Sequence, residues 1–363
     1  MSTQTTAPGV FIAEDLTDAI EAGVIGLGAP LTPTQVQPAS LDLTLGTRAW
    51  RVRAAFLPGR GQTVAERLEG GLSLHELDLS GGAVLEKGCV YVVELRERLA
   101  LPQGWVARAN PKSSTGRIDV FVRLVTDRST SYEAVPYCYE GPLYAEISPR
   151  TFSILVREGS SLNQLRLSRP PCALSDIDLA RLQKGDGLVN ADGDVIDGGL
   201  RLSVDLGESL GDTVGYRARR HSGLIDVDKV GILDPDDYFE PIPRPQSGFM
   251  ILDPDEFYIL ASAEELRIPH DLAAEMVPID TELGAFRVHY AGFFDPGFGL
   301  ESGSRAVLEV RGYDAPFVID HGQCVARLLF ERLTRVPENA YGSKLSSNYQ
   351  GQRLRLSKHF NQS

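Results

Sequence analysis

The chain has 363 residues, with 36 Lys or Arg against 49 Asp or Glu, and a formal net charge of −13. This length accommodates two domains with separate cores, and the acidic balance argues against broad binding to nucleic acid or to an anionic membrane. The 36 glycines and 22 prolines are scattered along the chain, which favours many short strands and turns over a helical bundle.

The N-terminus and the cysteines predict a cytoplasmic protein. Residues 1–8 lack the basic stretch and apolar segment of a secretory signal, and no apolar run approaches the length of a transmembrane helix. The four cysteines form no C-x-x-C pair, so we expect reduced thiols, with Cys89 and Cys324 packed as small core residues.

The first predicted element is a short amphipathic helix over residues 13–23, with Leu16, Ala19 and Ile20 on its apolar side. A second helix is predicted over residues 175–184, with Ser175 as its N-cap. Between them lie strand-like runs at residues 40–45, 89–95, 119–125, 143–147 and 152–156. A Gly- and Asp-rich loop at 185–194 precedes further strands up to residue 333, and a polar tail follows at 337–363.

The sequence repeats itself, which predicts a duplicated β domain. Four pairs of identical residues are 167 positions apart: Leu85 and Leu252, Tyr91 and Tyr258, Pro102 and Pro269, Pro111 and Pro278. Three further pairs are 163 positions apart: Glu146 and Glu309, Gly159 and Gly322, Leu165 and Leu328. Residues 40–43 also match residues 203–206 at an offset of 163. Two constant offsets indicate two copies with small insertions between matched strands.

The first copy carries a polar segment that the second has lost. Residues 110–117 read Asn-Pro-Lys-Ser-Ser-Thr-Gly-Arg. The two cations of this segment, the hydroxyl groups of Ser113 and Ser114, and Gly116 suit an oligophosphate. The second copy has Ile279 and Asp280 at the positions of Lys112 and Ser113, so it cannot hold a phosphate there. Taken alone, the segment is also compatible with a solvated turn.

The second copy carries an aromatic strand that ends in a tight turn. Residues 287–300 read Arg-Val-His-Tyr-Ala-Gly-Phe-Phe-Asp-Pro-Gly-Phe-Gly-Leu, and the strand pattern resumes around Glu309. Pro296 presets φ for a turn and Gly297 tolerates a positive φ, so Phe298 is presented from a rigid corner. A carboxylate in an apolar strand beside such a turn indicates a pocket wall. An ordinary β-turn with an exposed Glu would give the same local pattern.

These segments resemble the motifs of dCTP deaminases, members of the trimeric dUTPase superfamily. Residues 112–117 resemble the family's Arg-Ser-Ser-x-x-Arg phosphate motif, and residues 291–299 resemble its nucleoside-pocket motif. Glu309 falls in the following strand, where the family keeps its catalytic Glu. Residues 37–46 resemble the N-terminal strand signature, and residues 347–352 resemble the Lys-Tyr-Gln-Gly-Gln segment that folds over the bound nucleotide.

The resemblance implies a mainly β fold of two tandem dUTPase-like β-clip domains, which are distorted jelly rolls, with a few short helices. We place a first β domain with the phosphate motif at residues 1–170 and a linker with a short helix at 171–197. The second β domain, with the nucleoside pocket and the catalytic Glu, is placed at 198–335. A C-terminal tail at 336–363 is expected to close over the nucleotide.

The resemblance also implies hydrolytic deamination of dCTP to dUTP and ammonia, in the supply of pyrimidine deoxynucleotides for dTTP. Glu309 is expected to take a proton from water that attacks C4 of cytosine and to deliver it toward the leaving ammonia. Mg²⁺ is expected to arrive on the substrate triphosphate, with no metal bound by the protein itself. The expected substrate-binding residues are Lys112, Ser113, Ser114 and Arg117 for the phosphates, Ala291 and Gly292 for the base, Asp295 and Phe298 for the sugar, and Tyr341, Lys344, Tyr349, Gln350 and Gln352 in the tail.

Several positions depart from the family pattern. Lys112 replaces an Arg, which turns a bidentate phosphate contact into a point-charge contact. Asn348 stands where the family's tail has Lys. The interval from Asp295 to Glu309 is longer than in the family, so Glu146 is held in reserve as the catalytic carboxylate, although a structural role in its strand is the better interpretation.

The sequence leaves alternatives open. A dUTP pyrophosphatase or a bifunctional dCTP deaminase and dUTPase would use the same scaffold, and a non-catalytic nucleotide-binding regulator is a third interpretation. A zinc-dependent cytidine deaminase is rejected, because the H-x-E and P-C-x-x-C elements are missing and the six histidines show no metal-ligand spacing. Inhibition by dTTP, assembly into a homo-oligomer, and formation of the site within one chain or between chains are undecided. No nucleic-acid or membrane partner is expected.

Overall fold

The computed structural model describes residues 7–185, 187–191, 195–278, 286–288, 292–312, 315–338 and 351–361. The chain divides into two compact units. Unit 1 comprises Met1–Cys172, Gly223–Val230 and Leu333–Pro337. Unit 2 comprises Ala173–Ser222, Gly231–Arg332 and Glu338–Ser363. Two short stretches of unit 1 therefore interrupt the sequence of unit 2.

The described part of unit 1 is built mainly of strands, with three short α-helices. The helices are α1 (Ala13–Glu21), α2 (Val64–Arg67) and α3 (Ser113–Gly116). The strands are β1 (Gly9–Val10), β2 (Ile25–Leu27), β3 (Leu41–Leu43), β4 (Leu45–Val52), β5 (Ser73–Asp78), β6 (Ala83–Leu85), β7 (Val90–Ala100), β8 (Val106–Pro111), β9 (Val120–Thr126), β10 (Glu140–Pro149), β11 (Ile154–Val156) and β12 (Asn163–Arg169).

Three sheets organise unit 1. The largest has the order β5-β4-β7-β10-β9, and β2 also pairs with β7. In the second sheet β12 pairs with β1, β3 and β8. In the third sheet β11 pairs with β6 on one side and, in parallel, with the strand Ile225–Asp226 on the other.

The strand Ile225–Asp226 is β15 in chain order and belongs to unit 1. The remaining helix and strands after residue 172 belong to unit 2. They are α4 (Asp176–Gly185), β13 (Leu200–Ser203), β14 (Thr213–Ala218), β16 (Phe239–Pro243), β17 (Phe249–Leu252), β18 (Phe257–Leu266), β19 (Leu272–Pro278), β20 (Phe286–Val288), β21 (Phe293–Phe294), β22 (Ser304–Gly312), β23 (Phe317–Asp320) and β24 (Cys324–Arg332). The sheets of unit 2 have the orders β16-β14-β18-β22-β20, β13-β24-β19-β21 and β17-β23.

The two units repeat one strand arrangement, and the predicted duplication is confirmed. The order β5-β4-β7-β10-β9 of unit 1 corresponds to β16-β14-β18-β22-β20 of unit 2, and the pair β6-β11 corresponds to β17-β23. Side-chain contacts repeat as well. The Tyr91 hydroxyl accepts the Glu86 N–H at 3.1 Å, and the Tyr258 hydroxyl accepts the Asp253 N–H at 2.9 Å. The mainly β fold class is also confirmed.

One predicted match is wrong by four residues. In β12, Leu165 pairs with Leu41 and Ala109, whereas in β24 the equivalent Leu328 pairs with Leu200 and Met276. Leu41 therefore corresponds to Leu200, and residues 40–43 do not correspond to residues 203–206. Both stretches contain Ser, Asp and Leu at the same spacing, which produced the false match.

The predicted helices are present. Helix α1 buries Leu16 and Ala19, as its apolar spacing predicts. Ser175 precedes α4, and its hydroxyl accepts the Asp178 N–H at 3.2 Å, which satisfies a donor of the first helical turn. In the predicted loop after α4, Leu188 and Val189 are buried in the apolar core of unit 2.

The end of the chain packs into unit 2. Phe360 is 1% exposed, and its ring centroid lies 5.3 Å from that of Tyr238 and 5.4 Å from that of Phe239. Leu356 is also buried, and Phe360 forms a parallel bridge with Leu233. Residues 351–361 are therefore part of the folded body of unit 2.

Candidate active site

Glu309 lies on the face of β22 that points away from the apolar core of unit 2. Ala306, Leu308 and Val310 enter that core, and because strand side chains alternate, Glu309 lies on the opposite face. It is 1% exposed and stands opposite Ile259 of β18. The fold thus places a buried carboxylate in the middle of a central strand.

Glu146 occupies the equivalent position of unit 1, opposite Val92 of β7. Its carboxylate accepts hydrogen bonds from the Arg123 guanidinium, from the Phe56 N–H at 3.1 Å and from the Tyr132 hydroxyl at 3.2 Å. Burial, and then the charge of Glu146, raise the pKa of Tyr132 to about 12. Glu146 is therefore held in a structural ion pair, with Arg123 also stacked 3.7 Å from the Tyr132 ring centroid.

The turn that follows β21 is fixed by backbone hydrogen bonds. The Phe298 N–H donates to the Asp295 carbonyl at 3.2 Å, and the Ile268 N–H donates to the Phe298 carbonyl at 2.9 Å. Gly299 has φ +66°, and a Cβ there would lie 2.1 Å from the Leu266 carbonyl oxygen. Only glycine fits at this position without moving the backbone.

Phe298 lies within the core of unit 2. It is 5% exposed, and its ring meets the Phe294 ring edge-on at a centroid distance of 5.0 Å. The structure shows this packing role, and contact with a sugar stays a prediction. Asp295 is half-buried, and its carbonyl accepts the Phe298 N–H in the turn. Its contact with the 3′-hydroxyl of the sugar also stays a prediction.

Gly292 brings the backbone close to β19. Its carbonyl accepts the Met276 N–H at 2.6 Å, and an added Cβ would lie 2.5 Å from the Met276 Cβ. A larger residue would separate the two segments. Ala291, predicted beside it, lies outside the described residues, as does His289.

The predicted phosphate segment forms the short helix α3 after β8. The Lys112 N–H and the Thr115 hydroxyl both donate to the Leu162 carbonyl, at 3.0 and 2.9 Å, which fixes the turn against β12. Ser114 and Arg117 are buried, whereas Lys112 and Ser113 are partly exposed.

The Lys112 ammonium contacts the Asp42 carboxylate of β3 and lies 3.5 Å from the Ser161 hydroxyl. Asp42 is not among the predicted site residues. Its sequence signal is a carboxylate between Leu41 and Leu43 in an otherwise apolar strand. The contact itself joins residues 70 positions apart, which local patterns do not indicate.

Gln352, predicted in the tail, is attached to the first residues of β22. The Arg305 N–H donates to the Gln352 carbonyl at 3.0 Å, and the Gln352 side-chain amide donates to the Arg305 carbonyl at 3.1 Å. The Gly351 N–H donates to the Ser304 hydroxyl at 2.8 Å. The other predicted tail residues, Tyr341, Lys344, Tyr349 and Gln350, lie outside the described residues.

The predicted residues thus fall into two groups in different units. Gly292, Asp295, Phe298, Glu309 and Gln352 belong to unit 2, and Lys112, Ser113, Ser114 and Arg117 belong to unit 1. Unit 2 also has a cavity of about 560 Å³, lined in part by Arg244 and His321, which includes none of these residues.

The described part of the chain contains neither a metal-binding cluster nor a membrane-crossing helix. Within these residues, no group of three or more His, Cys, Asp or Glu side chains could hold a metal ion. No helix in the described ranges is long and apolar enough to cross a membrane.

The chain matches two profiles of one protein family. The profile of the 2′-deoxycytidine 5′-triphosphate deaminase N-terminal domain matches residues 7–171, and that of the C-terminal domain matches residues 175–360. The chain belongs to the dCTP deaminase family.

Solved and curated proteins give the same result. The crystal structure of 2′-deoxycytidine 5′-triphosphate deaminase from Agrobacterium tumefaciens is 48% identical, with a TM-score of 0.86 over 92% of this chain and 100% of that one. Proteins named "dCTP deaminase, dUMP-forming" from Beutenbergia cavernae and Kocuria rhizophila are each 32% identical over 153 residues, which is 39% of this chain and 76% of theirs. The predicted membership of the dCTP deaminase family, in its tandem form, is confirmed.

Proposed function

We propose that this member of the dCTP deaminase family catalyses the hydrolytic deamination of dCTP to dUTP and ammonia. The observation that carries the proposal is the match of the family's N-terminal and C-terminal domains to successive halves of one chain. The similarity to the Agrobacterium tumefaciens protein over nearly the whole chain supports it. The protein is accordingly an enzyme with a small-molecule nucleotide substrate.

Glu309 is proposed as the general base. Its carboxylate takes a proton from water as the water oxygen bonds to C4 of cytosine. It then gives that proton to the amino nitrogen, the C4–N bond breaks and ammonia leaves, while the second proton of the water ends on N3 of the uracil ring. Its position on a central strand, 1% exposed, supports this role, because a fixed base in a dry site needs little reorganisation. A positioned base contributes about 10²–10⁴-fold to the rate.

Lys112, Ser113, Ser114 and Arg117 are proposed to bind the triphosphate. Lys112 is held by Asp42 and Ser161, so its ammonium has a defined position and loses little conformational entropy when it meets an anion. With a protein charge of −13, we propose that Mg²⁺ enters on the triphosphate as part of the substrate and reduces the repulsion between the two anions.

Gly292, Asp295 and Phe298 are proposed to form the nucleoside side of the site, together with Ala291. Gly292 lies where the chain approaches β19 too closely for a Cβ, so backbone groups of this segment, not a side chain at 292, would contact the base edge. The tail residues Tyr341, Lys344, Tyr349, Gln350 and Gln352 are proposed to cover the bound nucleotide.

A second candidate function is conversion of dCTP to dUMP. The curated relatives from Beutenbergia cavernae and Tropheryma whipplei are both named "dCTP deaminase, dUMP-forming", which favours it. In this case the enzyme would also hydrolyse the α–β phosphoanhydride bond and release pyrophosphate.

A product assay separates the two functions. The purified chain is incubated with dCTP and, separately, with dUTP, each with and without Mg²⁺, and ammonia, dUTP, dUMP and pyrophosphate are measured. Ammonia and dUTP from dCTP support simple deamination, and dUMP with pyrophosphate supports the second function. Absence of ammonia from dCTP at high enzyme concentration would contradict both.

Three further proposals rest on the family resemblance. dTTP shares the triphosphate and the deoxyribose of the substrate, so we propose that it competes for the same site. We also propose a homo-oligomer and a cytoplasmic location. Competition is measured by the KM for dCTP with added dTTP, and assembly by light scattering after gel filtration.

A further inference from the structure

A buried ion pair lies next to the attachment point of the tail in unit 2. The Asp205 and Arg305 side chains are 3% and 7% exposed and 2.5 Å apart. Asp205 also accepts the Gly207 N–H at 2.8 Å and the Ser209 hydroxyl. Arg305 donates to the Ser262 carbonyl at 2.6 Å and to the Ser209 hydroxyl at 3.0 Å.

Unit 1 has no such pair at the equivalent positions. Arg305 stands opposite Glu265 of β18, as Pro142 stands opposite Arg98 of β7. Val204, which precedes Asp205, forms a bridge with Ser262 of β18. In the same way Leu45, which precedes Gly46, pairs with Leu95 of β7. Gly46 and Pro142 thus replace the two charged residues, and the shared fold does not require the pair.

Stability alone does not explain the ion pair. Removing two charges from water costs several kcal/mol, and apolar residues of similar volume often serve as well as a buried ion pair. Burial would raise the pKa of Asp205, but hydrogen bonds from Ser209 and Gly207 and the charge of Arg305 lower it overall, so Asp205 is ionised at neutral pH. The contacts of the pair tie Arg305 of β22 to Asp205, to Ser209 and to the Ser262 carbonyl of β18.

The backbone of Arg305 holds the tail. The N–H and carbonyl of Arg305 form the two hydrogen bonds to Gln352 described above, and the neighbouring Ser304 holds Gly351. Arg305 and Glu309 lie four residues apart on one face of β22, a spacing of about 13 Å along a strand. The tail motif that ends at Gln352 is therefore attached to the strand that carries the proposed base.

We propose that Asp205 and Arg305 are positioning residues: their ion pair fixes the start of β22 and, through it, the positions of Gly351 and Gln352, which are bonded there. This inference rests on the proposed function. Neither residue needs to touch the substrate. Disturbing the pair would weaken nucleotide binding through Gln352, while the position of Glu309 farther along the strand is kept.

The test is the double variant Asp205→Asn/Arg305→Met, which removes both charges with little change in volume. Its matched control is Arg217→Met/Glu240→Gln, which removes an exposed ion pair of β14 and β16. We expect the KM for dCTP to rise about tenfold in the first variant, as expected for losing about one net hydrogen bond, with a smaller change in kcat. Neither value should change in the control.

A double-mutant cycle identifies the route of the effect. Gln352→Ala is made alone and together with the double variant. If the ion pair acts through Gln352, the combined KM matches the larger of the two separate effects. Multiplicative effects, or an unchanged KM in the folded double variant, would overturn the proposal. If the double variant does not fold, Arg305→Lys, which keeps the charge but loses the forked contacts, is measured with the same criteria.

Hydrogen exchange gives a readout that does not depend on activity. The amide of Arg305 and the segment 351–361 should exchange faster in the double variant than in the parent, and not in the control. Unchanged exchange would overturn the positioning role even if dCTP is turned over. A parent with no activity on dCTP would overturn the proposed function, and faster exchange in the variant would still support the mechanical link.

Discussion

Two glutamates, Glu146 and Glu309, occupy equivalent positions of the two units. Glu146 shares an ion pair with Arg123 and is also bonded to Phe56 and Tyr132, so its charge is committed to holding β9 and β10 together. Glu309 is the glutamate that we propose as the general base. The same residue type at the same strand position can thus have a structural role in one copy and a proposed catalytic role in the other.

Replacing each glutamate by glutamine separates these roles. Glu309→Gln should lower kcat for dCTP by about 10²–10⁴-fold, because an amide cannot accept the proton from water. Glu146→Gln should keep most of kcat but lower the free energy of unfolding by about 1–3 kcal/mol, because a charged hydrogen-bond network is broken. Steady-state kinetics and thermal unfolding measure the two effects. Equal losses of kcat in both variants would contradict the assignment.

Lys112 provides a test of phosphate binding. Lys112→Ala should lower kcat/KM for dCTP by about 10–100-fold, as expected when a charged hydrogen bond worth about 1.5–3 kcal/mol is lost. Any turnover of dCMP, which lacks the β- and γ-phosphates, should change less. The matched control is Lys184→Ala at the end of α4, where the lysine is exposed. Unchanged affinity for dCTP in Lys112→Ala would rule out the phosphate role.

At the scale of single elements, the turn after β21 depends on Gly299. Gly299→Ala should lower the free energy of unfolding by about 2–4 kcal/mol, because a positive φ is combined with a steric conflict with the Leu266 carbonyl. Gly322→Ala is the control, since Gly322 has φ +79° but no atom within 4 Å of an added Cβ, and should cost about 1–2 kcal/mol. Chemical denaturation compares the two. A smaller loss for Gly299→Ala would show that the turn adjusts.

The attachment of β15 to unit 1 predicts a pH dependence. Arg157 donates to Asp226 at 2.7 and 2.9 Å, and this hydrogen bond is the main reason why the pKa of Asp226 is lowered. A lowered pKa in the folded state contributes stability above the unfolded pKa, which is lost as the pH falls through the folded pKa. Asp226→Asn should therefore lower Tm at pH 7, and the difference from the parent should shrink below about pH 4. A difference that stays constant down to about pH 3 would contradict this.

The elements also show what local sequence reveals. Helices α1 and α4 follow from apolar spacing and from Ser175 as a cap, and long strands such as β7 and β10 follow from their β-branched and aromatic content. The contact between Lys112 and Asp42 and the ion pair between Asp205 and Arg305 join distant segments, which no local pattern specifies. The burial of Phe360 is not predictable either, because an aromatic residue in a polar tail gives no periodic signal.

At the scale of the molecule, the duplication is the most informative sequence feature, since constant offsets between identical residues predict which strands of the two units are equivalent. Its limit is the four-residue error at residues 40–43. A short pattern such as Ser-x-Asp-Leu occurs again by chance near the true counterpart, and only strand pairing distinguishes the two. The assignment of site residues rests on the family resemblance and awaits the variants described above.

The composition of unit 1 predicts the behaviour of a fragment. A chain ending at residue 172 lacks β15, which pairs with β11, and lacks Arg335, which bonds to Asp15 of α1 at 2.6 Å. Because this exposes the apolar edge of β11, we expect the fragment to aggregate or to unfold at a lower temperature than the intact chain. Gel filtration and thermal unfolding test this, and a stable, monomeric fragment would contradict it.

The two stretches that unit 1 takes from the second half of the chain, Gly223–Val230 and Leu333–Pro337, limit which deletions the gene can tolerate. Two copies joined end to end could at first be separated again by a single break, each keeping everything it needed to fold. Once residues encoded within the second copy complete the first, a deletion that removes the later half also damages the earlier one. The two copies are therefore expected to evolve as one unit.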